Sequence, residues 1–109
     1  MIKIRYIVLV FLFLACAKKL PPEKQAYYDK GKSLYIKHCI TCHNPNPSRP
    51  GASGPPLKNA STELVYKKVL FGTYPDGYKP KMPGRLMKVF KGELNKSDTD
   101  AISIYLQNL

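Results

Sequence analysis

The stretch HCITCH, residues 38–43, places two thiols and two imidazoles within six consecutive residues. Its chemically active members are His38, Cys39, Cys42 and His43. Such a set can bind a zinc ion, cycle between a dithiol and a disulfide, or attach a haem through its two sulfurs. Each of these chemistries needs particular residues elsewhere in the chain. The presence or absence of those residues indicates which of the three chemistries the sequence favours.

Zinc binding and disulfide exchange lack supporting residues. A structural zinc site usually takes two ligand pairs from separate parts of the chain. Every Cys and His after Cys16 lies between His38 and His43, so a distant second pair is missing. A redox-active Cys-x-x-Cys normally starts a helix within a strand–helix pattern, and the sequence has no strand-like run to build that sheet. Both chemistries are therefore less favoured than haem attachment.

Haem attachment requires Cys-x-x-Cys-His, which residues 39–43 supply. Cys39 and Cys42 are three residues apart, so one helical turn presents both sulfurs on one side, where they can bond the two vinyl groups of a haem. His43 follows directly, and its ring can reach the iron while the sulfurs hold the macrocycle. The motif is a known signal for c-type haem attachment. It predicts one covalent haem c on Cys39 and Cys42, with His43 as an axial iron ligand.

A sixth iron ligand is predicted in the loop GTYPDGYKPKMPGR, residues 72–85. An electron carrier needs a protein ligand opposite the histidine, and a thioether raises the reduction potential. Met82 lies among lysines and prolines, where a methionine that merely fills the core is unexpected. Met87 is the rival, but RLMKVF, residues 85–90, reads as a short helical piece with ordinary apolar packing. We therefore expect Met82 to bind the iron.

His38 is the remaining imidazole of the hexapeptide. It adjoins Cys39 on the wrong side of the attachment motif to bind the iron. We expect His38 at a helix end, either exposed to solvent or packed against the haem edge.

A first helix is predicted to lead into the motif, from Glu23 to His38. Gly31 lies in the middle of it, which costs helix propensity but is tolerable if another helix crosses closely there. The segment NPNPSRPGASGPP, residues 44–56, cannot form regular structure because Pro and Gly interrupt every run.

Two more helices are predicted after this loop. Ser61 caps a helix over residues 62–71, which Gly72 ends. Asn95 caps the last helix, with Asp98 at its third helical position. The resulting order is helix, long loop, helix, Met-containing loop, helix, which predicts a single all-α domain.

The N-terminal segment MIKIRYIVLVFLFLACAKK is predicted to be an export signal. Basic Lys3 and Arg5 precede an apolar run that ends at Ala15, in the order of a secretory signal peptide. The run is shorter than the ~20 residues that span a bilayer, although an uncleaved anchor is an alternative. We therefore assign residues 1–15 to a signal peptide, which places the protein in the periplasm or another extracytoplasmic compartment.

Cleavage of this signal has two interpretations. FLAC, residues 13–16, resembles a bacterial lipoprotein box, in which Cys16 becomes the lipidated first residue and residues 16–24 form a tether to the domain at 25–109. Alternatively, the small residues around Cys16 allow cleavage after Ala17, which would release a soluble protein. We favour lipidation, because Cys16 stands at the end of the apolar run without another evident role, and a polar, proline-containing segment that could serve as a tether follows it. Two or more acyl chains on Cys16 would hold the domain firmly to a membrane.

The charge of the chain is strongly basic, at +11, and loss of Lys3 and Arg5 with the signal leaves +9. Such a charge can suit nucleic acid, an anionic membrane or an acidic protein. No aromatic–basic interleaving or RNA-binding signature is present, so we expect no nucleic-acid partner. We expect redox proteins with acidic docking surfaces, and Lys79 and Lys81 are candidates for the docking rim.

Four sequence elements in order resemble a small monohaem cytochrome c of the class I type. GKSLYIKHCITCHN (31–44) resembles the first helix of that family, GPPL (54–57) its Gly-Pro-x-Leu loop, KMPG (81–84) its Met-Pro ligand loop, and LNKSDTDAISIYL (94–106) its C-terminal helix. The resemblance extends from about Tyr27 to Leu109.

The resemblance implies an all-α, cytochrome c-like fold of three or more short helices wrapped around one covalently bound haem. It also implies that the carbonyl of Pro55 accepts a hydrogen bond from the iron-bound His43, and that Tyr105 crosses near Gly31. Together with the motif it predicts a one-electron carrier rather than an enzyme, in a respiratory or other extracytoplasmic electron-transfer chain. The alternatives are a haem-c subunit of a larger oxidoreductase complex and a haem enzyme or sensor with a labile sixth ligand.

Overall fold

Three helices carry the fold of residues 20–109, the part of the chain that the computed structural model describes. They are α1 (Pro22–His38), α2 (Thr62–Phe71) and α3 (Lys96–Gln107). All three predicted helices are confirmed, and α1 starts one residue earlier than expected. The predicted signal peptide, residues 1–15, and the predicted lipid attachment at Cys16 lie outside the described residues.

The crossing of α1 and α3 depends on Gly31. A Cβ at this position would collide with the carbonyl oxygen of Ala101 on α3, so only glycine lets the two backbones approach so closely. Tyr105, one turn further along α3, packs its ring against Tyr28 and Tyr35 of α1, with centroid distances of 5.3 and 5.6 Å. The close crossing expected at Gly31 is therefore confirmed.

Local capping bonds fix the ends of α2 and α3. The Ser61 hydroxyl accepts a bond from the Leu64 N–H at 3.1 Å, and Gly72 ends α2 with a φ of 68°. Asn95 and Asp98 form a reciprocal capping box, in which each side chain accepts from the other residue's backbone N–H at 2.9 and 3.0 Å. These bonds satisfy backbone donors that a helix start leaves free.

The core lies between the three helices and the segment that precedes α3. Its largest contributors are buried apolar and aromatic side chains from all of these elements: Tyr35, Val65, Val69, Leu70, Phe90, Leu94, Ile102, Tyr105 and Leu106. Among the described residues, no helix has both the length and the apolar character needed to cross a bilayer.

The prediction of a short helix over residues 85–90 is wrong, because this segment is not helical. A helix would pair the Phe90 N–H with the carbonyl of Leu86. Instead the Phe90 N–H donates to the carbonyl of Val69, at the end of α2, at 2.7 Å. Leu86 is 98% exposed, so the segment has no continuous apolar face to bury as a helix.

Candidate functional site

The hexapeptide motif continues directly from the end of α1. The Cys39 N–H donates to the carbonyl of Tyr35, and the His43 N–H to the carbonyl of Cys39, both at 2.9 Å. These bonds have the i→i−4 spacing of a helical turn, so Cys39, Cys42 and His43 follow α1 on a further turn. Cys39 and His43 are buried, whereas Cys42 is exposed.

An open cavity adjoins this turn and brings the predicted site residues together. Its volume is about 900 Å³, including space open to solvent. Cys39, Cys42, His43, Pro55 and Met82 all line it. Apolar and aromatic side chains make up much of the remaining wall, among them Tyr35, Leu57, Leu64, Val65, Val69, Ile102 and Leu106. The arrangement offers an apolar enclosure for a flat macrocycle, with two thiols and one imidazole at its edge.

The imidazole of His43 is held in one orientation. Its Nδ1 lies 3.1 Å from the carbonyl oxygen of Pro55, and a Cβ on Gly54 would overlap the ring. Burial lowers the pKa of His43, with the bond to Pro55 opposing that effect, so the neutral ring is favoured. Because a carbonyl can only accept, Nδ1 carries the proton and Nε2 keeps a free lone pair. A neutral imidazole in a fixed tautomer is what an iron ligand requires.

The proline-rich loop 44–56 folds back and packs against the Cys-x-x-Cys-His motif. A Cβ on Gly51 would collide with the Cys42 carbonyl oxygen, and that same oxygen accepts a bond from the Ser53 N–H at 3.0 Å. The hydroxyl of Tyr35 donates to the carbonyl of Asn44 at 2.6 Å, and burial raises the pKa of this phenol well above its usual range. The loop therefore supports the turn that carries the two thiols and His43.

Sequence reasoning missed the part played by Gly51 and the bond between Tyr35 and Asn44. Gly51 lies among prolines and other small residues, so nothing local distinguishes it. The partner of the Tyr35 hydroxyl lies nine residues away in an irregular loop. Only the tertiary structure brings these groups into contact.

The two alternative chemistries of the motif find little support in the geometry. Within residues 20–109, no group of three or more His, Cys, Asp or Glu side chains is arranged to hold a metal ion. Cys39 and Cys42 do not form a disulfide. Burial raises the pKa of Cys39 to about 11, whereas disulfide exchange depends on a thiol with a lowered pKa.

His38 packs away from the cavity, because it is not among the lining residues. Its ring meets that of Phe90 edge-on, with a centroid distance of 5.6 Å. The predicted helix-end position is confirmed, since His38 is the last residue of α1. The packing partner in the described structure is Phe90.

Both methionines of the described chain reach the cavity. Met82 and Met87 line it and are half-buried. Next to Met82, the Lys81 amine lies 3.5 Å from the carbonyl oxygen of Pro56, which brings the methionine loop up to the loop that contains Pro55. The structure thus places a thioether-bearing loop on the same cavity as His43, as expected, and adds a second thioether.

Comparison with known families gives one match in keeping with this site. The model of the family described as Cytochrome c matches residues 28–109, which is more than half of the chain. No curated protein and no solved structure matches significantly.

Proposed function

The protein belongs to the cytochrome c family as a small class I c-type member, with the all-α fold of that family, and we propose that it carries single electrons on one covalent haem c. The electron-transfer pathway that it serves is proposed to lie outside the cytoplasm. Haem-based electron transfer follows from the family. The single haem, its two axial ligands, the compartment and the partners are our proposal.

The observation that carries this proposal is the convergence of two thiols and an oriented imidazole on one apolar cavity. Cys39 and Cys42 would hold the haem covalently, and His43 would bind its iron through Nε2. Met82 is the predicted ligand on the opposite side. A haem held there supplies a one-electron ferric/ferrous couple, so no substrate has to bind the metal.

The residues around the proposed haem site orient its histidine ligand and set the polarity of its surroundings. The bond between His43 and the Pro55 carbonyl keeps the imidazole in one orientation and increases its basicity. Buried side chains such as Leu106 line the cavity and would shield that side of a bound haem from water, which lowers the local dielectric constant. Because these groups are fixed by the fold, little has to rearrange when the charge of the site changes.

Partner recognition is proposed to depend on the positive surface. Lys79 and Lys81 are exposed beside Met82, and the net charge of the whole chain is +11. Positive charge near the electron-transfer site would attract an acidic redox protein and raise its rate of encounter. Lys79 and Lys81 are therefore our candidates for the docking rim.

Membrane attachment is proposed through a lipidated Cys16, with residues 16–24 as the tether and residues 25–109 as the redox domain. Residues 22–24 of this predicted tether belong to α1, which begins at Pro22. Intact mass of the membrane fraction tests this proposal. Acyl mass on a chain that begins at Cys16 supports it, whereas a chain that begins at Lys18 contradicts it.

A pyridine haemochrome spectrum tests the proposed cofactor. Protein matured with haem-attachment machinery should give the spectrum of a haem with both vinyl groups saturated, and one iron per chain. Cys39→Ala and Cys42→Ala should each remove one thioether and shift the spectrum toward that of a haem with one free vinyl group. A wild-type spectrum of an unmodified haem, or more than one iron per chain, would contradict the proposal.

Low-spin ferric haem with a sulfur-to-iron charge-transfer band would support the carrier over a haem enzyme or sensor. A high-spin, five-coordinate resting state would favour those alternatives. The packing of His38 against Phe90, with a ring-centroid distance of 5.6 Å, supports the carrier over an enzyme in which His38 would serve as an acid–base group at the haem.

A further inference from the structure

The cavity is lined by two thioethers, Met82 and Met87. We propose that Met87 can bind the iron opposite His43 and so competes with, or replaces, Met82 as the sixth ligand. This inference rests on the proposed His/Met ligation and concerns which sulfur supplies it. Met1 is the third methionine of the chain, and it lies in the predicted signal peptide.

Met87 does not lie in a helix, contrary to the reason given above for preferring Met82. The sequence predicts that Met87 lies on the apolar face of a short helix, whereas residues 85–90 are not helical. Successive side chains of this segment differ sharply in their surroundings. Leu86 lines the cavity but is 98% exposed, whereas Met87 lines it, is half-buried and packs against the core. Met87 therefore faces inward, at the wall of the cavity.

The backbone that carries Met87 is firmly anchored three residues later. Phe90 is buried, and its N–H donates to the Val69 carbonyl at 2.7 Å. Its own carbonyl accepts bonds from the N–H groups of Glu93 and Leu94, both at 2.9 Å. These contacts tie the segment to the end of α2 and to the start of α3.

The backbone around Met82 has weaker restraints. The Arg85 N–H reaches the Met82 carbonyl at 3.4 Å, near the long limit of a hydrogen bond. The Lys81 amine meets Pro56 at 3.5 Å. Residues 83–86 are all exposed, and of these Arg85 and Leu86 line the cavity. Fixing this loop around a metal costs more conformational entropy than using a segment that the fold already orders.

The two sulfurs are chemically equivalent toward iron. Each is a neutral thioether that needs no deprotonation, so pH does not select between them. Exchange of one for the other would leave the ligand set unchanged and would alter only which part of the chain is held to the metal. The hydrogen bonds of Phe90 therefore favour Met87, and the long hydrogen bonds around Met82 restrain it less.

The test uses the full haem-loaded protein and three variants: Met82→Leu, Met87→Leu, and the double variant. Leucine keeps the apolar bulk of methionine and removes the sulfur. The sulfur-to-iron charge-transfer band of the ferric protein reports a bound thioether. The shifted methyl resonance in the proton NMR spectrum of the ferrous protein reports which methionine is bound.

Met82→Leu is expected to keep the charge-transfer band and a ligand methyl resonance, and the double variant to lose both. Loss of the band in Met82→Leu, with covalent haem and helix content unchanged, would overturn the assignment to Met87. Met87→Leu is expected to weaken the band or to change its methyl resonance, and an unaltered spectrum in that variant would also overturn it. Failure of the proposed function looks different, because the wild type would then show no charge-transfer band.

Discussion

The Nδ1 atom of His43 lies 3.1 Å from the carbonyl oxygen of Pro55, with Gly54 directly beneath the ring. The two residues are twelve positions apart, so the proline-rich loop must turn back on the Cys-x-x-Cys-His motif to make the contact. The contact fixes the imidazole tautomer and leaves Nε2 free for a metal.

Gly54→Ala is expected to disturb His43 most directly. The added Cβ would overlap the imidazole ring, so either the ring turns away from Pro55 or the loop moves. We expect a loss of about 1–3 kcal/mol in the free energy of unfolding and an altered ferric spectrum, measured by denaturation and absorption. Ser48→Ala, at an exposed position of the same loop that does not line the cavity, is the control. A Gly54→Ala protein that matches the wild type in both measurements would contradict this account of the site.

Gly31→Ala tests the helix crossing, because two effects of opposite sign compete. Helix propensity alone would stabilise α1 by about 1 kcal/mol. The new Cβ would collide with the backbone carbonyl of Ala101, which cannot move as a side chain can. We therefore expect net destabilisation of about 1–3 kcal/mol by chemical denaturation, with Lys32→Ala on the exposed side as control. Net stabilisation by Gly31→Ala would rule out the close crossing.

The positions of the helices were predictable because their ends depend on local chemistry. Ser61 and Asn95 cap helices with their own side chains, and Gly72 adopts the positive φ that ends α2. Such bonds join residues within one turn, so the sequence itself contains both partners. The site motif is equally local, since Cys39, Cys42 and His43 occupy one turn.

Other features depend on contacts that no local pattern encodes. The segment 85–90 has a helix-like apolar spacing, but a bond from Phe90 to Val69 holds it in another conformation. Because a helix was expected over residues 85–90, Met87 was predicted to pack in the core and not to bind the iron. The position of Gly51 against the Cys42 carbonyl is likewise set by the path of an irregular loop. The contact of Pro55 with His43 was expected only from the family resemblance.

Acid should weaken the start of α3 through Asp98. The bond from the Asn95 N–H, and then the Lys30 amine at 3.1 Å, lower the pKa of this carboxyl. Because the folded pKa lies below the unfolded value, the carboxylate stabilises the protein above the unfolded pKa of about 3.9 and loses this effect as pH falls through the folded pKa. Asp98→Ala should therefore cost about 0.5–2 kcal/mol at neutral pH and less in acid.

Thermal or chemical denaturation at several pH values measures this difference. Asp100→Ala is the matched control, since Asp100 lies in the same helix and, within residues 20–109, its ion pair is with Lys96 four residues earlier. If the cost of Asp98→Ala were the same at neutral and acidic pH, the capping carboxylate would not be its cause.

Charge reversal near Met82 should slow electron transfer with acidic partners. Lys79→Glu and Lys81→Glu are expected to lower the second-order rate constant, and the wild-type rate should fall as salt is added. Lys24→Glu is a control with the same change of net charge, because Lys24 lies about 20 Å along α1 from His38. Stopped-flow oxidation by an anionic small-molecule oxidant measures all three. Equal slowing by Lys24→Glu would remove the argument for a docking rim.

The covalent attachment of haem to Cys39 and Cys42 is tested most directly by intact mass after extraction with acidified acetone. Protein exported with haem-attachment machinery is predicted to stay coloured, with the mass of the processed chain plus one haem. The same preparation of a Cys39→Ala, Cys42→Ala double variant should release its pigment or contain none. A colourless wild-type chain, or one whose pigment passes into the solvent, would contradict the account.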